Sequence, residues 1–340
     1  MAGVINYAKA KELAIAVISA KQRRIKPFDR ENLFPDAIIP KDMQAGSQEH
    51  ALYLFHSVSL DSMRQAEKVY SAMRQITQEL GDLKELSKVS KQKLESILLP
   101  HFGEAIINPK NSMIDAVGTL LYNSKKLKVD YQNDPRLIKT KRVKSTLERV
   151  DEFAQYGIPK AALLMKNYVK FGIWPFSETE IPIKVDRHTL RISLGFGVVD
   201  FKDSIETIEN GKELSRALRE TKEQLIRMGH YKREDFEKGN VRVIRGDKFI
   251  KQLTETYLKI TKKEKLSAID LDDSFWAIGA YICKENNAIV CEHHCPIQCQ
   301  VRYPSDNNSV YFFIDIDKRK NLDNLFKTAH NQDHGVKLFP

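Results

Sequence analysis

Cysteine is scarce in this chain: four among 340 residues, none before position 283. Long apolar runs are missing too. The longest largely apolar stretches, Leu13 to Ala20 and Phe275 to Cys283, are eight and nine residues, against the roughly 20 that a membrane-spanning helix needs. No low-complexity linker and no internal repeat is apparent. A composition of 42% apolar and 29% charged residues excludes wholesale disorder. A secretory leader is not expected either, because the short apolar stretch after Lys9 and Lys11 runs straight into Lys21, Arg23 and Arg24. The expectation is an intracellular protein with no membrane partner, long enough for two or three domains.

Acidic residues are in deficit, 45 against 55 basic ones, for a net charge of +10. Between Lys125 and Arg149 stand nine basic residues and three acidic ones, so this segment carries +6 of the total. Lys and Arg displace condensed counterions from phosphates, so the surplus points to a polyanionic partner. A solvated helical face would read the same way.

All four cysteines fall between positions 283 and 299: Cys283, Cys291, Cys295 and Cys299, spaced C-x7-C-x3-C-x3-C. Disulfides are not expected in an intracellular chain, and two bridges in so short a loop would cross-link little. Four thiolates enclose either a tetrahedral zinc or a [4Fe–4S] cluster. Zinc sites usually bring C-x2-C knuckles, which this chain lacks. The wider, uneven gaps suit a cubane, and the cluster is the favoured reading, with zinc the alternative. His293 and His294, inside the loop, are lesser ligand candidates.

Apolar spacing predicts helices almost throughout: Tyr7 to Arg23, a buried helix over Gln48 to Ser59, amphipathic helices over Ser62 to Leu80 and Leu83 to Leu99, a short one over Ile114 to Ser124, and another over Val143 to Tyr156. Only Val241 to Ile244 and Val310 to Asp315 read as strand, the latter expected to pair with Gln300 to Tyr303. The fold class is mainly α with small β additions.

From Val150 to Ser193 the pattern is helix, a tight Gly157–Pro159 turn, a second helix from Lys160 to about Phe171, then a third starting at Arg187. Such a hairpin of helices exposes backbone N–H groups at the positive end of a helix dipole, a ready phosphate site. Asp186 stands where an N-cap belongs, with Arg187, His188 and Arg191 beside it. Capping alone would explain Asp186, and a surface position would explain Lys160.

The hairpin, the string Val-Asp-Arg-His-x-x-Arg from Val185 to Arg191, and the four-Cys loop together resemble the helix-hairpin-helix DNA glycosylase superfamily, in its iron–sulfur branch, to which endonuclease III belongs. Ser274 to Cys283 (SFWAIGAYIC) is similar to the helix that brings the first cluster ligand in that branch. The likeness covers roughly Ala51 to Cys299 in organisation and about thirty residues at motif level. The chain is a divergent member by this measure: Gly157-Ile158-Pro159 replaces Gly-hydrophobic-Gly, the Cys spacing differs from C-x6-C-x2-C-x5-C in every gap, and ninety-six residues separate Asp186 from Cys283.

The resemblance implies a two-lobed helical architecture: an N-terminal helix and loop (1–50) on the cluster lobe, a helical barrel lobe with the hairpin and Asp186 (51–200), an inserted helical region (201–282), the iron–sulfur loop (283–299) and a C-terminal extension (300–340). It implies excision of a damaged or mispaired base from double-stranded DNA by a monomer, cytoplasmic or nucleoid-associated. Asp186 would stabilise an oxocarbenium-like sugar or activate the nucleophile. Lys160, with Lys166 as second candidate, would attack C1′ and form a Schiff base in a bifunctional glycosylase/AP lyase; with no such lysine, water would attack. Gly157, Arg187, His188, Arg191 and Lys284, with Arg302 nearby, would meet DNA. Tyr53, Phe55, His56 and Trp174 are pocket-wall candidates, with core packing as their simpler reading. The rivals are an iron–sulfur or zinc nucleic-acid-binding protein without glycosylase activity and an iron–sulfur enzyme acting on RNA.

Overall fold

A computed structural model describes residues 4–61, 66–103, 115–200, 223, 226, 232–237, 241–283, 295–297, 310–315, 320–328 and 336–337. The described chain is mainly helical and divides into two compact units: one formed by Asn32–Lys184, the other by Met1–Glu31 with Val185–Pro340. The divisions between these units fall at 31/32 and 184/185. The loop after Asn32 is tied to the first unit through Asp36, whose carboxylate pairs with Lys166.

The Asn32–Lys184 unit is built around α2 (Gln48–Leu60), in which every residue from His50 to Leu60 is buried. Ser47 caps it, its Oγ accepting from the His50 N–H at 3.1 Å. Around α2 stand α3 (Ala66–Leu80), α4 (Lys91–Phe102), α5 (Ala116–Tyr131), α6 (Val143–Asp151) and α7 (Ile158–Lys170). The helix expected over Leu83 to Leu99 is divided: Leu83–Lys88 is a 3-10 turn, and Ser90 caps a new helix by accepting from the Lys93 N–H. In the other direction, α5 runs on to Tyr131, where Gln132 takes a left-handed conformation (φ 53°). The expected helix to Tyr156 stops at Asp151, and Gln155 turns left-handed at φ 62°.

One face of α2 carries a repeated polar contact. The carbonyl oxygens of Ala51, Phe55 and Ser59, four residues apart, accept from Tyr168 Oη (2.6 Å), Tyr156 Oη (2.6 Å) and Lys160 Nζ (2.9 Å). Four-residue spacing keeps the acceptors on a single stripe. Their donors come from α7 and the turn before it, so the hairpin lies antiparallel along α2.

In the other unit, α1 (Tyr7–Gln22) starts at Asn6, whose Oδ1 accepts from the Lys9 N–H. It packs against α10 (Gly246–Glu264) and α11 (Ala268–Ala277). Lys21 bridges Asp270 (2.8 Å) and Asp273 (2.9 Å), and Lys11 pairs with Glu264. The unit also holds α8 (Arg187–Gly195), α9 (Arg233–Glu237) and two small sheets. β1 (Val4–Ile5) pairs antiparallel with β2 (Val199–Asp200). β3 (Val241–Arg245) runs parallel to β4 (Val310–Asp315), which pairs antiparallel with β5 (Lys320–Thr328), followed by β6 (Val336–Lys337). β4 is thus flanked by β3 and β5. The expected partner, Gln300 to Tyr303, lies outside the described residues.

Candidate functional site

The hairpin is α6, the turn 152–157, and α7, with the two helices in contact. Asn123 of α5, fully buried, clamps the turn from both sides. Its Oδ1 accepts from the Ala154 N–H at 2.8 Å and its Nδ2 donates to the Ala154 carbonyl at 3.0 Å. Phe153 meets Phe55 edge-on and Tyr156 lies tilted against it, at 5.0 and 5.2 Å between ring centroids. Gly157 caps α7 in extended backbone (φ 177°) with no side-chain cap, Pro159 sits in the first turn, and Ile158 is 42% exposed. The first turn of α7 therefore presents the positive end of a thirteen-residue helix beside an exposed apolar side chain.

Lys160 does not stand clear of the protein. Its ammonium donates to the carbonyl of Ser59, the penultimate residue of α2, where the last carbonyls have no helical N–H to accept from. A cation is favoured there by the hydrogen bond and by the negative end of the α2 dipole. The cap residue of the same helix, Asp61, is paired with Lys184 at 2.9 Å. Lys166 is buried at 5% exposure and pairs with Asp36 at 3.2 Å. Both lysine candidates are thus held to acceptors within their own unit.

Tyr53, Phe55, His56 and Trp174 are all at most 1% exposed. They are core residues. Tyr53 Oη donates to the Tyr70 carbonyl, and Trp174 packs edge-on against Tyr168. Burial pushes the pKa of His56 down to about 3 and that of His50 down to about 4.

Asp186 belongs to the other unit, as the cap of α8. Its Oδ1 accepts from the backbone N–H groups of His188 (2.8 Å) and Thr189 (3.3 Å). It begins a helix whose buried residues Leu190, Ile192 and Ser193 belong to the core of this second unit, with Ser193 Oγ 2.7 Å from Tyr257 Oη. α8 packs against α11 and against the single π-helical turn Ile278–Ile282 that follows it. That contact is close. A Cβ on Gly279 would stand 2.5 Å from both Cβ and Nδ1 of His188, so only glycine fits. π-turns inside helices recur at functional sites. This one ends at Cys283, whose N–H donates to the Ile278 carbonyl.

The structure thus brings together two motifs nearly a hundred residues apart, the Asp186–His188 cap and the turn leading to the first cysteine. Cys283 and Cys295 are half-buried. Cys291, Cys299, Lys284, Arg302, His293 and His294 lie outside the described residues, as do the side chains of Arg187 and Arg191, although their backbones form α8. Among the described residues no group of three or more His, Cys, Asp or Glu gathers as a metal site. An all-thiol donor set suits an iron–sulfur cubane or zinc on chemical grounds. Among the described residues no helix is long and apolar enough to cross a membrane.

Sequence reasoning passed over Asn123 and Gly279. A buried Asn within α5, a weak helix former, was the available signal for the first. For Gly279 there was none, because the close approach depends on a helix from elsewhere in the chain. Compared with models of known protein families and with curated proteins, the chain matches none.

Proposed function

We propose that the chain is a DNA glycosylase of the helix-hairpin-helix superfamily, in its iron–sulfur branch, cleaving the N-glycosidic bond of a damaged or mispaired base in double-stranded DNA. The observation that carries this reading is the packing of the Asp186-capped helix, through His188 and Gly279, on the turn that ends at Cys283. In this reading the base leaves the stack, and the Asp186 carboxylate faces the sugar and stabilises the positive charge that develops as the glycosidic bond lengthens. The first turn of α7 and the basic residues Arg187, Arg191 and Lys284 meet phosphates.

The contacts of the two lysines favour water over an amine as the attacking group. A Schiff-base nucleophile must be neutral to attack, whereas Lys160 donates to a helix-terminal carbonyl and Lys166 pairs with a carboxylate. The monofunctional form of the activity follows, with Asp186 orienting the water. Cys283, Cys291, Cys295 and Cys299 would hold the cluster. When bound it fixes the loop in place, since hydrolysis of a glycosidic bond transfers no electron.

Asp186→Asn tests the assignment cleanly. Asn caps a helix as well as Asp does, so thermal stability should hold while single-turnover excision falls about 100-fold or more. The substrates are duplexes carrying uracil, oxidised guanine, oxidised pyrimidine, hypoxanthine or alkylated adenine. Unchanged excision would remove Asp186 from the mechanism, and no excision of any lesion by the natural chain would overturn the reading. Borohydride should trap no covalent adduct on abasic-site DNA. A brown chain absorbing visible light supports the cluster, and a colourless zinc-containing one refutes it.

A further inference from the structure

A cluster of exposed positive charge lies away from the hairpin turn, at the opposite end of α6. The connection from Arg136 to Lys144 holds five cations in nine residues. Arg136 is neutralised by Asp134, with Nη2 to Oδ2 at 2.7 Å. Lys139 lies over the Phe176 ring at 5.6 Å. The other three project outward: Lys141 and Arg142 are exposed and form no ion pair among the described residues, and Lys144 is 88% exposed, with Glu148 no closer than 3.9 Å.

This loop is rigid. The Thr140 N–H donates to Thr146 Oγ1 at 2.9 Å, the Arg142 N–H donates to Thr140 Oγ1 at 3.1 Å, and both hydroxyls reach the Arg142 carbonyl, at 2.9 and 3.0 Å. Trp174 Nε1 donates to the Arg136 carbonyl at 3.3 Å, and Ile138 is fully buried. A fixed backbone presenting three solvated cations spends little conformational entropy on a ligand.

We propose that Lys141, Arg142 and Lys144 form a second phosphate-contact surface for duplex DNA, distinct from the hairpin turn. It rests on the nucleic-acid reading above but not on excision. The nine residues of α6 separate the two surfaces by about 13 Å of helix, so a duplex would be gripped at two points on one unit. The chemistry favours a phosphate backbone over a bilayer. Leu137 (52% exposed) is the one large apolar side chain exposed on this connection, too little to enter lipid. Such contacts set affinity and register and carry no base preference.

The test is binding of the full chain to an undamaged duplex, followed by fluorescence anisotropy across a salt titration, comparing the natural chain with the triple variant Lys141→Gln, Arg142→Gln, Lys144→Gln. All three positions are solvated, and unchanged far-ultraviolet circular dichroism confirms folding. At about 0.9 counterions per phosphate, three lost contacts make the log–log salt slope shallower by about 2.7; the natural chain should lose about 40-fold more affinity than the variant over a fourfold rise in salt. Equal slopes would overturn the surface and leave the glycosylase reading standing. A natural chain that binds no duplex, or that prefers anionic vesicles, would overturn the surface outright. Slope loss in a chain that excises no base would uphold it while the excision reading fails.

Discussion

Acid should unfold the Asn32–Lys184 unit from the inside, through two histidines of α2. His50 is fully buried and His56 is 1% exposed. Burial disfavours the charged imidazolium and lowers their pKa values from 6.5 to about 4 and about 3. The environments explain why no counter-charge restores them. His50 Nδ1 accepts from the Gly46 N–H, and its ring meets Phe171 edge-on at 4.6 Å. His56 packs edge-on against Phe55, its Nδ1 buried with no hydrogen-bond partner. The sign follows from proton binding. Below pH 6.5 the unfolded chain protonates both rings and the folded chain neither, so stability is complete above that value and falls as pH drops towards 4. Each pH unit costs about 1.4 kcal/mol per ring, so the descent from pH 7.5 to 5.5 removes about 2.7 kcal/mol, a large share of the roughly 5–15 kcal/mol that holds a domain folded. Urea titrations followed by Trp174 fluorescence in a Trp276→Phe background at pH 7.5, 6.5 and 5.5 measure this directly. His56→Leu removes one titrating ring together with its unpartnered nitrogen, and should halve the slope to about 1.4 kcal/mol per pH unit. A stability that stays flat between pH 7.5 and 5.5, or a His56→Leu slope equal to that of the natural chain, would refute the reasoning. His101, whose pKa is also lowered by burial and by Arg74, adds a smaller effect of the same sign.

Two further outcomes concern the other unit. For Lys21, burial opposes the charge, but Asp273 and Asp270 outweigh it and the pKa is raised, so the bridge persists through neutral pH and is lost only as alkali titrates the amine. Asp273 is 1% exposed, so Lys21→Met leaves a buried carboxylate without its bridging cation and should cost about 3 kcal/mol; chemical denaturation reads it, and adding Asp273→Leu should recover most of the loss. Gly279→Ala drives a methyl into His188 and should destabilise by about 1–3 kcal/mol while slowing excision. A variant as stable and as active as the natural chain would show that the contact relaxes freely.

The helices were legible because their burial is local in cause. Gln48 to Leu60 is apolar almost all round and became the central helix, and Asp186 caps a helix as its side-chain chemistry dictates, whereas Ser90, read as mid-helix, starts a new one. Boundaries failed where a single residue left the helical region of backbone space. Gln155 and Gln132 turn left-handed without being glycine, which composition does not announce. The pairing of β4 with β3 went unread because a parallel pairing across more than sixty residues leaves no short-range trace. At the candidate site, Asp186 as a cap could be read from its neighbours. The fate of Lys160 could not, because its acceptor is a main-chain oxygen a hundred residues earlier, at a helix end whose position had first to be known.

The stripe of accepting carbonyls on α2 also bears on how the hairpin is held. Sliding α7 and the turn before it along α2 by one residue would misalign all three donors at once, whereas a displacement of four residues, about 6 Å at 1.5 Å per residue, would bring two of them back onto acceptors. The hairpin is therefore anchored to α2 at three points that would have to be released together.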